Sequence, residues 1–346
     1  MSIYSRYHKA LSHRASIELP DRAVTPFVQN KIIRHEANTL GLDFIVGDLH
    51  GCVEHLRAIL RHVGFNESAD RLFSVGDLVD RGPDSPGSLE LLKQSWFYPV
   101  MGNHDAMLLA VLMEYAGSSA NASAGALLLP ELSAVDRVCA EVCASAFFGN
   151  GGKWLRSFLR DETPSGFVTE WLTLLQGMPL IRVIGSGSDR FHVVHAELLG
   201  DDTLGRWHPG WCDLTLDQPD AEDNPLWEHP HNIWGFDMVG DGVDHVMWGR
   251  ELRARVSALQ GVTEDDVPDM RGLSRTYVGH TITVMQDGSQ LMTAGSHVFL
   301  DTGAYKSVPN DKGVYDLNHG LTIWCHQEDR GWKYNGVEMV DMRMVY

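Results

Sequence analysis

The strongest constraint in this chain is one kind of motif placed after three successive strands. Gly47-Asp48-Leu49-His50-Gly51 follows the apolar run 43–47, Gly76-Asp77-Leu78-Val79-Asp80-Arg81-Gly82 follows 72–75, and Gly102-Asn103-His104-Asp105 follows 98–101. Between the first two runs, Leu56, Ile59, Leu60 and Val63 fall at i, i+3, i+4, i+7, the spacing of one helical face. A helix opened by Pro83, Ser85 and Pro86, with Leu89 and Leu92 on its apolar side, is expected after the second run, and another from His104 to about Tyr115 after the third. Alternating strands and helices imply an α/β layer architecture, with functional residues gathered in loops at the carboxyl ends of the strands.

Three strand ends thus deliver two carboxylates and an amide to one edge, two of them with nearby imidazoles. A lone Gly-Asp pair is more often a turn, because both residues favour turns. The convergence is what carries meaning. Carboxylate and imidazole together suit Mn, Fe or Zn, and flanking glycines let the backbone turn sharply enough to aim side chains at a common centre. Two further imidazoles end later strands: His195 in Val193-Val194-His195-Ala196 and His280 in Val278-Gly279-His280-Thr281.

Composition excludes some alternatives. The formal net charge is −18, which disfavours a nucleic-acid partner, since such binding needs a positive face. The charge is uneven. Residues 1–35 carry six Lys/Arg against Glu18 and Asp21, whereas residues 196–245 carry twelve Asp/Glu against Arg206 alone. No stretch is long and apolar enough for a membrane span, and the first seven residues lack the apolar core of a secretory signal, so a cytoplasmic location is expected. The five cysteines Cys52, Cys139, Cys143, Cys212 and Cys325 form no Cys-x-x-Cys pair and read as free thiols.

The motifs GDLHG, GDLVDRG, GNHD, VHA, GHT and Asp301-Thr302-Gly303-Ala304 resemble those of the calcineurin-like metallophosphoesterases, and within them the bacterial and phage Ser/Thr protein phosphatases. The likeness covers most of residues 43–305. It implies a four-layer αββα sandwich, two mixed sheets flanked by helices, in place of the parallel sheet that alternation alone suggests. It also implies two divalent metal ions, Mn²⁺ by resemblance, with Fe or Zn allowed by the ligand types. Carried over by position, Asp48 and His50 would hold the first metal and Asp77 would bridge. Asn103, His195 and His280 would complete the second. The resemblance implies hydrolysis by in-line attack of a metal-bridging hydroxide. His104 would protonate the leaving oxygen, Asp80 would orient its ring, and Arg81 and Arg250 would grip the phosphoryl group, with Arg253 and Arg255 as competitors for the last role.

The third motif, followed by Leu108-Leu109-Ala110-Val111, is also similar to that of symmetrical diadenosine tetraphosphate hydrolases. The expected substrate is therefore a phosphoprotein or phosphopeptide, with a dinucleoside polyphosphate as the alternative. An inactive scaffold would show a broken ligand set, and none is broken here. No role follows for Glu197. The expected organisation is an N-terminal extension, residues 1–42, and a single domain, 43–346, with insertions at about 117–166 and 197–244. The tryptophans Trp207, Trp211, Trp227, Trp234 and Trp248 in and beside the second insertion either line a recognition surface or form a small local core. The part from Thr276 onward reads as consecutive strands with turns at Asp287-Gly288, Pro309-Asn310 and Arg330-Gly331. The sequence sets no oligomeric state.

Overall fold

The computed structural model describes residues 30–118, 147–158, 166–198, 212–218, 221, 246–250, 252, 272–283, 288–309 and 313–345. Twelve strands among them run in the order β1-β5-β6-β7-β9-β8-β12-β11-β10-β2-β3-β4. They are β1 Ile32–His35, β2 Asp43–Val46, β3 Arg71–Ser74, β4 Phe97–Pro99, β5 Ile181–Ile184, β6 Phe191–Val194, β7 Arg275–Val278, β8 Gln290–Ala294, β9 His297–Phe299, β10 Leu321–Cys325, β11 Arg330–Tyr334 and β12 Met339–Val345. The order folds into two six-stranded layers joined where β12 runs parallel to β8, Arg343 opposite Gln290. Both layers are mixed: β2-β3-β4 and β6-β7-β9 are parallel, whereas β2-β10, β10-β11 and β5-β6 are antiparallel. The expected sandwich of two mixed sheets is the one observed.

Alternation within a strand explains how the layers form. In β2, Phe44 and Val46 face one core while Ile45 faces another, and in β3 Leu72 and Phe73 divide the same way. Period-2 geometry sends successive side chains to opposite faces, so strands buried on both sides read as unbroken apolar runs. The inner core holds Ile45, Phe73, Val75 and Trp324 from one sheet against Phe191, Val193, Tyr277 and Val298 from the other. Phe73 and Phe191 meet edge to face at 5.7 Å.

Helices cover the outer faces. Helix α1 (Val53–Val63) buries Val53, Leu56 and Ile59 and packs on β10 and β11. It stops at Gly64, whose φ of 67° is the left-handed conformation that favours glycine. Helix α2 (Ser85–Glu90) is capped by Asp84, which accepts from Gly87 N at 2.8 Å. It ends earlier than the periodicity suggested, because Leu91–Lys93 tightens into a 3₁₀ turn and carries Leu92. Helix α3 (Asn103–Ser118) packs against α4 (Gly166–Gln176). Among the described residues no helix is long and apolar enough to cross a membrane.

Three expectations change. The boundary at residue 42 moves, because Ile32–His35 forms β1 and pairs in parallel with all of β5, making it an edge strand of the sandwich. The turn expected at Arg330-Gly331 lies earlier, at 326–329, and Gly331 belongs to β11. Its Cβ would sit 2.4 Å from the Trp324 ring, so this glycine serves close approach across strands. The alternation-only reading of a parallel sheet gives way to mixed sheets, since the strands after β9 pair mostly as antiparallel neighbours. Most of the two insertions, residues 1–29, Trp207, Trp211, Trp227, Trp234, Cys139, Cys143, Arg253, Arg255, Asp287 and Asn310 lie outside the described residues.

Candidate metal centre

Five turns bring the expected site residues together. Asp48 and His50 follow β2, Asp77 to Arg81 follow β3, Asn103 and His104 open α3 after β4, His195 follows β6 and His280 follows β7. Both sheets therefore contribute. The backbone bends sharply at these points: among the described residues, non-glycine positive φ occurs at His50, Asp77, Asp80, Arg81, His280 and Asp329. Five of these six were site expectations, and such conformations persist only where surrounding structure over-determines them. Gly76 has φ 95°, and a Cβ there would lie 2.5 Å from Gly102 N, so only glycine lets the second and third loops touch.

Hydrogen bonds stitch the two sheets at this edge. Asp48 accepts from His280 N, with both carboxylate oxygens at 3.1 Å. His195 donates Nδ1–H to the Val75 carbonyl at 2.8 Å, and His50 donates Nδ1–H to the Val79 carbonyl at 2.8 Å. Each ring is thereby left with its Nε2 lone pair facing inward. His195 Nε2 faces Asn103 Oδ1 at 2.9 Å and Asp77 Oδ1 at 3.4 Å, and His50 Nε2 faces Asp77 Oδ2 at 3.6 Å. His280 Nδ1 lies 3.2 Å from Asn103 Oδ1.

Beside this cluster His104 Nδ1 donates to Asp80 Oδ2 at 2.7 Å, and His104 N donates to Asp77 Oδ1 at 2.9 Å. A cavity of about 370 Å³ opens above, lined by Asp77, Arg81, Asn103, His104, Arg250 and His280 together with Asn150, Trp248, Thr281, Ile282 and Tyr305. Asp48, His50, Asp80 and His195 lie beneath it, buried. A larger cavity of about 700 Å³ lies at the opposite end of the sandwich, bordered by Asp43, Arg190, Arg275 and His326, and none of the ten expected residues reaches it. The expected site residues gather at the smaller one.

Residues 44–256 match the family model of the calcineurin-like phosphoesterases. The chain belongs to that family. Among its relatives, serine/threonine-protein phosphatase 2 of Salmonella typhimurium is 23% identical over 264 residues, covering 76% of this chain and 88% of the relative. Serine/threonine-protein phosphatase 1 of the same organism is 50% identical over 76 residues, 22% of this chain and 35% of the relative. The symmetrical bis(5'-nucleosyl)-tetraphosphatase of Pectobacterium carotovorum is 49% identical over 80 residues, 22% of this chain and 27% of the relative. The chain thus spans about a third or less of the two relatives with the higher identity.

Calcineurin-like phosphoesterases bind divalent metals, and the donor set here fits such ions. The nearest donor atoms of Asp48, Asp77 and His195 lie within 4.8 Å of one another, as do those of His50, Asp77 and His104. His280 turns its Nδ1 toward Asn103 Oδ1 at 3.2 Å, and its Nε2 is buried without a hydrogen-bond partner. Asn103 Oδ1 and Asp77 Oδ1 converge on His195 Nε2, an arrangement that a shared cation would stabilise. Electrostatics agree. Burial, then the carboxylates of Asp301 and Asp77, hold the Asp48 carboxyl well above the ordinary range, which divalent charge would reverse. Burial also opposes ionisation of Asp77, but the positive charge that His195, His104 and His50 carry whenever they are protonated, together with Arg81, outweighs it and holds Asp77 below the usual range. With the rings neutral, a bound cation would exert the same pull. Burial lowers His50 to about 3 and lowers His195 and His280, keeping the imidazoles neutral, as metal ligation requires.

Several site residues escaped the sequence reading. Asp105 accepts from Leu78 N and Gly102 N, both at 3.0 Å, clamping the second loop to the third. Trp154 donates its indole N–H to Asp80 Oδ1 at 2.8 Å. Tyr305 lies edge to face with His50 at 5.2 Å, and the Arg81 guanidinium sits 5.1 Å from its ring centre. Glu197 gains a structural part by accepting from Leu252 N at 3.1 Å, close to Arg250 in sequence. Only Asp105 had a local signal, its place in the third motif. Cys52 beside the first motif is a buried thiol pushed up to about 12, consistent with the free-thiol reading.

Proposed function

We propose that this chain is a dinuclear metal-dependent phosphomonoesterase acting as a serine/threonine protein phosphatase. The observation that carries the proposal is the His104–Asp80 pair at 2.7 Å, set at the floor of an open cavity beside the buried carboxylate and imidazole cluster. Asp48 and His50 would hold one ion, Asn103, His195 and His280 the other, with Asp77 shared. When bound, the ions would draw charge from the phosphoryl oxygens and lower the pKa of a water. Mn²⁺ is the ion we assign.

The protein's own groups do the rest. Arg250 is exposed at the cavity, and Arg81 projects into it with a planar fork of donors matched to phosphoryl oxygens. Arg81 donates Nη1–H to His50 Nε2 at 2.9 Å, the lone pair that metal ligation would claim, so ligation by His50 would release this N–H for substrate as well. His104 keeps its Nδ1 proton on Asp80, so the proton it transfers is on Nε2. As the ester P–O bond breaks, its electron pair passes to the seryl or threonyl oxygen, which takes that proton, while water supplies the incoming oxygen.

The 264-residue alignment with a relative named as a serine/threonine-protein phosphatase supports a protein substrate, and the charge of −18 favours basic phosphopeptides over polyanionic nucleotides. A cytoplasmic site of action is part of the same reading. The second reading, symmetrical diadenosine tetraphosphate hydrolysis, is favoured by the 49% identical stretch shared with a tetraphosphatase. Phosphate release from a phosphoserine/phosphothreonine peptide panel by Mn²⁺-reconstituted protein, run beside nucleotide release from diadenosine tetraphosphate, separates the two. Peptide turnover with little dinucleotide cleavage is expected. The reverse would move the protein to the second reading.

A further inference from the structure

His104 is held by Asp80, and Asp80 is itself held from a part of the chain far from the motifs. Its Oδ2 accepts from His104 Nδ1 at 2.7 Å, its Oδ1 accepts from Trp154 Nε1 at 2.8 Å, and its backbone N–H is donated to Ser85 Oγ at 2.9 Å. Both carboxylate oxygens are therefore engaged, and Asp80 is buried. With only the His104 bond, the carboxylate could rotate about its Cβ–Cγ bond. The indole fixes that rotation.

Trp154 is in turn fixed by packing. Its ring meets Trp171 of α4 at 5.9 Å, Phe158 at 6.0 Å and Phe147 at 6.4 Å, all edge to face. The chain just before it also presses on the second motif. Gly151 adopts φ 120°, and a Cβ there would lie 2.8 Å from Arg81 N, while Asn150 lines the cavity. The segment 147–158, which follows α3 in the first insertion, thus touches Asp80, Arg81 and the cavity at once.

We infer that Trp154 is a positioning residue for the general acid: its indole N–H locks the Asp80 carboxylate, which aims His104 at the leaving oxygen. A Trp–Asp–His relay of this kind couples the aromatic packing of the insertion to proton delivery. The inference rests on His104 being the acid, and the experiment separates the two claims.

Two variants test it: Trp154→Phe, and replacement of Trp154 by benzothienylalanine, which keeps the bicyclic shape and removes only the N–H. The second keeps the test valid if the smaller ring loosens the aromatic cluster. Each is assayed on two aryl phosphates, 2,4-dinitrophenyl phosphate, whose leaving group departs without a proton, and phenyl phosphate, whose leaving group needs one. Loss of a hydrogen bond to a buried charged group predicts about a tenfold fall in kcat on phenyl phosphate, little change on the dinitrophenyl ester, and an unaltered KM. Metal content should match that of the unaltered protein. In a His104→Asn background the Trp154 replacement should add nothing further, because the relay is already cut.

Equal losses on both esters, or a full extra loss in the His104→Asn background, would overturn the Trp154 role while leaving His104 as the acid. If His104→Asn itself shows no dependence on the leaving group, the general-acid reading fails and the relay fails with it.

Discussion

Asp77 is the residue whose removal should divide the metal centre from the proton-transfer machinery. Its Oδ1 lies 3.4 Å from His195 Nε2 and accepts from His104 N at 2.9 Å, and its Oδ2 lies 3.6 Å from His50 Nε2. Asp77→Asn keeps the shape and one carbonyl oxygen, so the fold should survive, but it removes the charge between the two candidate ion positions. The donor atoms lie within 4.8 Å of one another. A shared cation would thus sit near enough that each unit charge pair is worth about 4 kcal/mol at an effective protein dielectric of about 20. That corresponds to roughly a thousandfold weaker binding, and activity should fall with it. His104→Asn is the contrast, because His104 donates to Asp77 through its backbone and not through its ring. It should keep full metal content and lose about 10² to 10⁴ in kcat. Metal stoichiometry after dialysis, Mn²⁺ titration and steady-state kinetics on both variants give the answer. Asp77→Asn protein that binds Mn²⁺ within about tenfold of the unaltered chain, well short of the loss expected here, would refute the reasoning, as would His104→Asn protein that loses its metal.

Three further outcomes follow from the framework around the site. Arg71 donates Nε–H and Nη2–H to Asp43 at 2.7 and 2.8 Å, and Asp43 is 1% exposed. Arg71→Met should therefore cost about 3–5 kcal/mol in urea unfolding, and a cost below about 1 kcal/mol would show that Asn38 and Gln327 satisfy the carboxylate unaided. Gly76→Ala forces a Cβ to 2.5 Å from Gly102 N at φ 95°, so stability should drop by about 1–3 kcal/mol or more together with metal content, and wild-type values of both would refute the close approach. Burial lowers His297 to about 3 and His192 to about 4, below the ordinary 6.5. The stability these neutral rings contribute is present above pH 6.5 and is lost as pH falls toward 4, by up to about 1.4 kcal/mol per pH unit for each ring. A flat unfolding free energy between pH 7 and pH 5 would contradict it.

The candidate site was legible because its residues are grouped locally in sequence. Except at His195, each loop that carries a candidate ligand also carries a glycine beside it, so Gly76-Asp77 and Gly279-His280 announce residue and geometry together. The ten expected residues duly meet at one edge of the sandwich, six of them around one cavity. Features created by distant pairing had no such signal. The four residues of β1 carry no turn markers of their own, and their partner strand lies near residue 180, so the segment read as an extension. Gly331 looked like a turn because a glycine needed for bending and one needed beneath the Trp324 ring are the same letter.

Trp154 is the sharpest case of this division. Its segment carries no motif, and nothing in Lys153-Trp154-Leu155 points to a carboxylate 74 residues away. The bond exists because Phe147, Phe158 and Trp171 hold the indole in place, and that packing depends on α4 lying against α3, whose first turn carries Asn103 and His104. The motifs thus supply groups able to do the chemistry, while the intervening segments determine how firmly those groups are aimed. On this argument two chains sharing all the motifs need not share the same general-acid alignment, and differences in it should track the segment between α3 and α4 more closely than the motifs themselves.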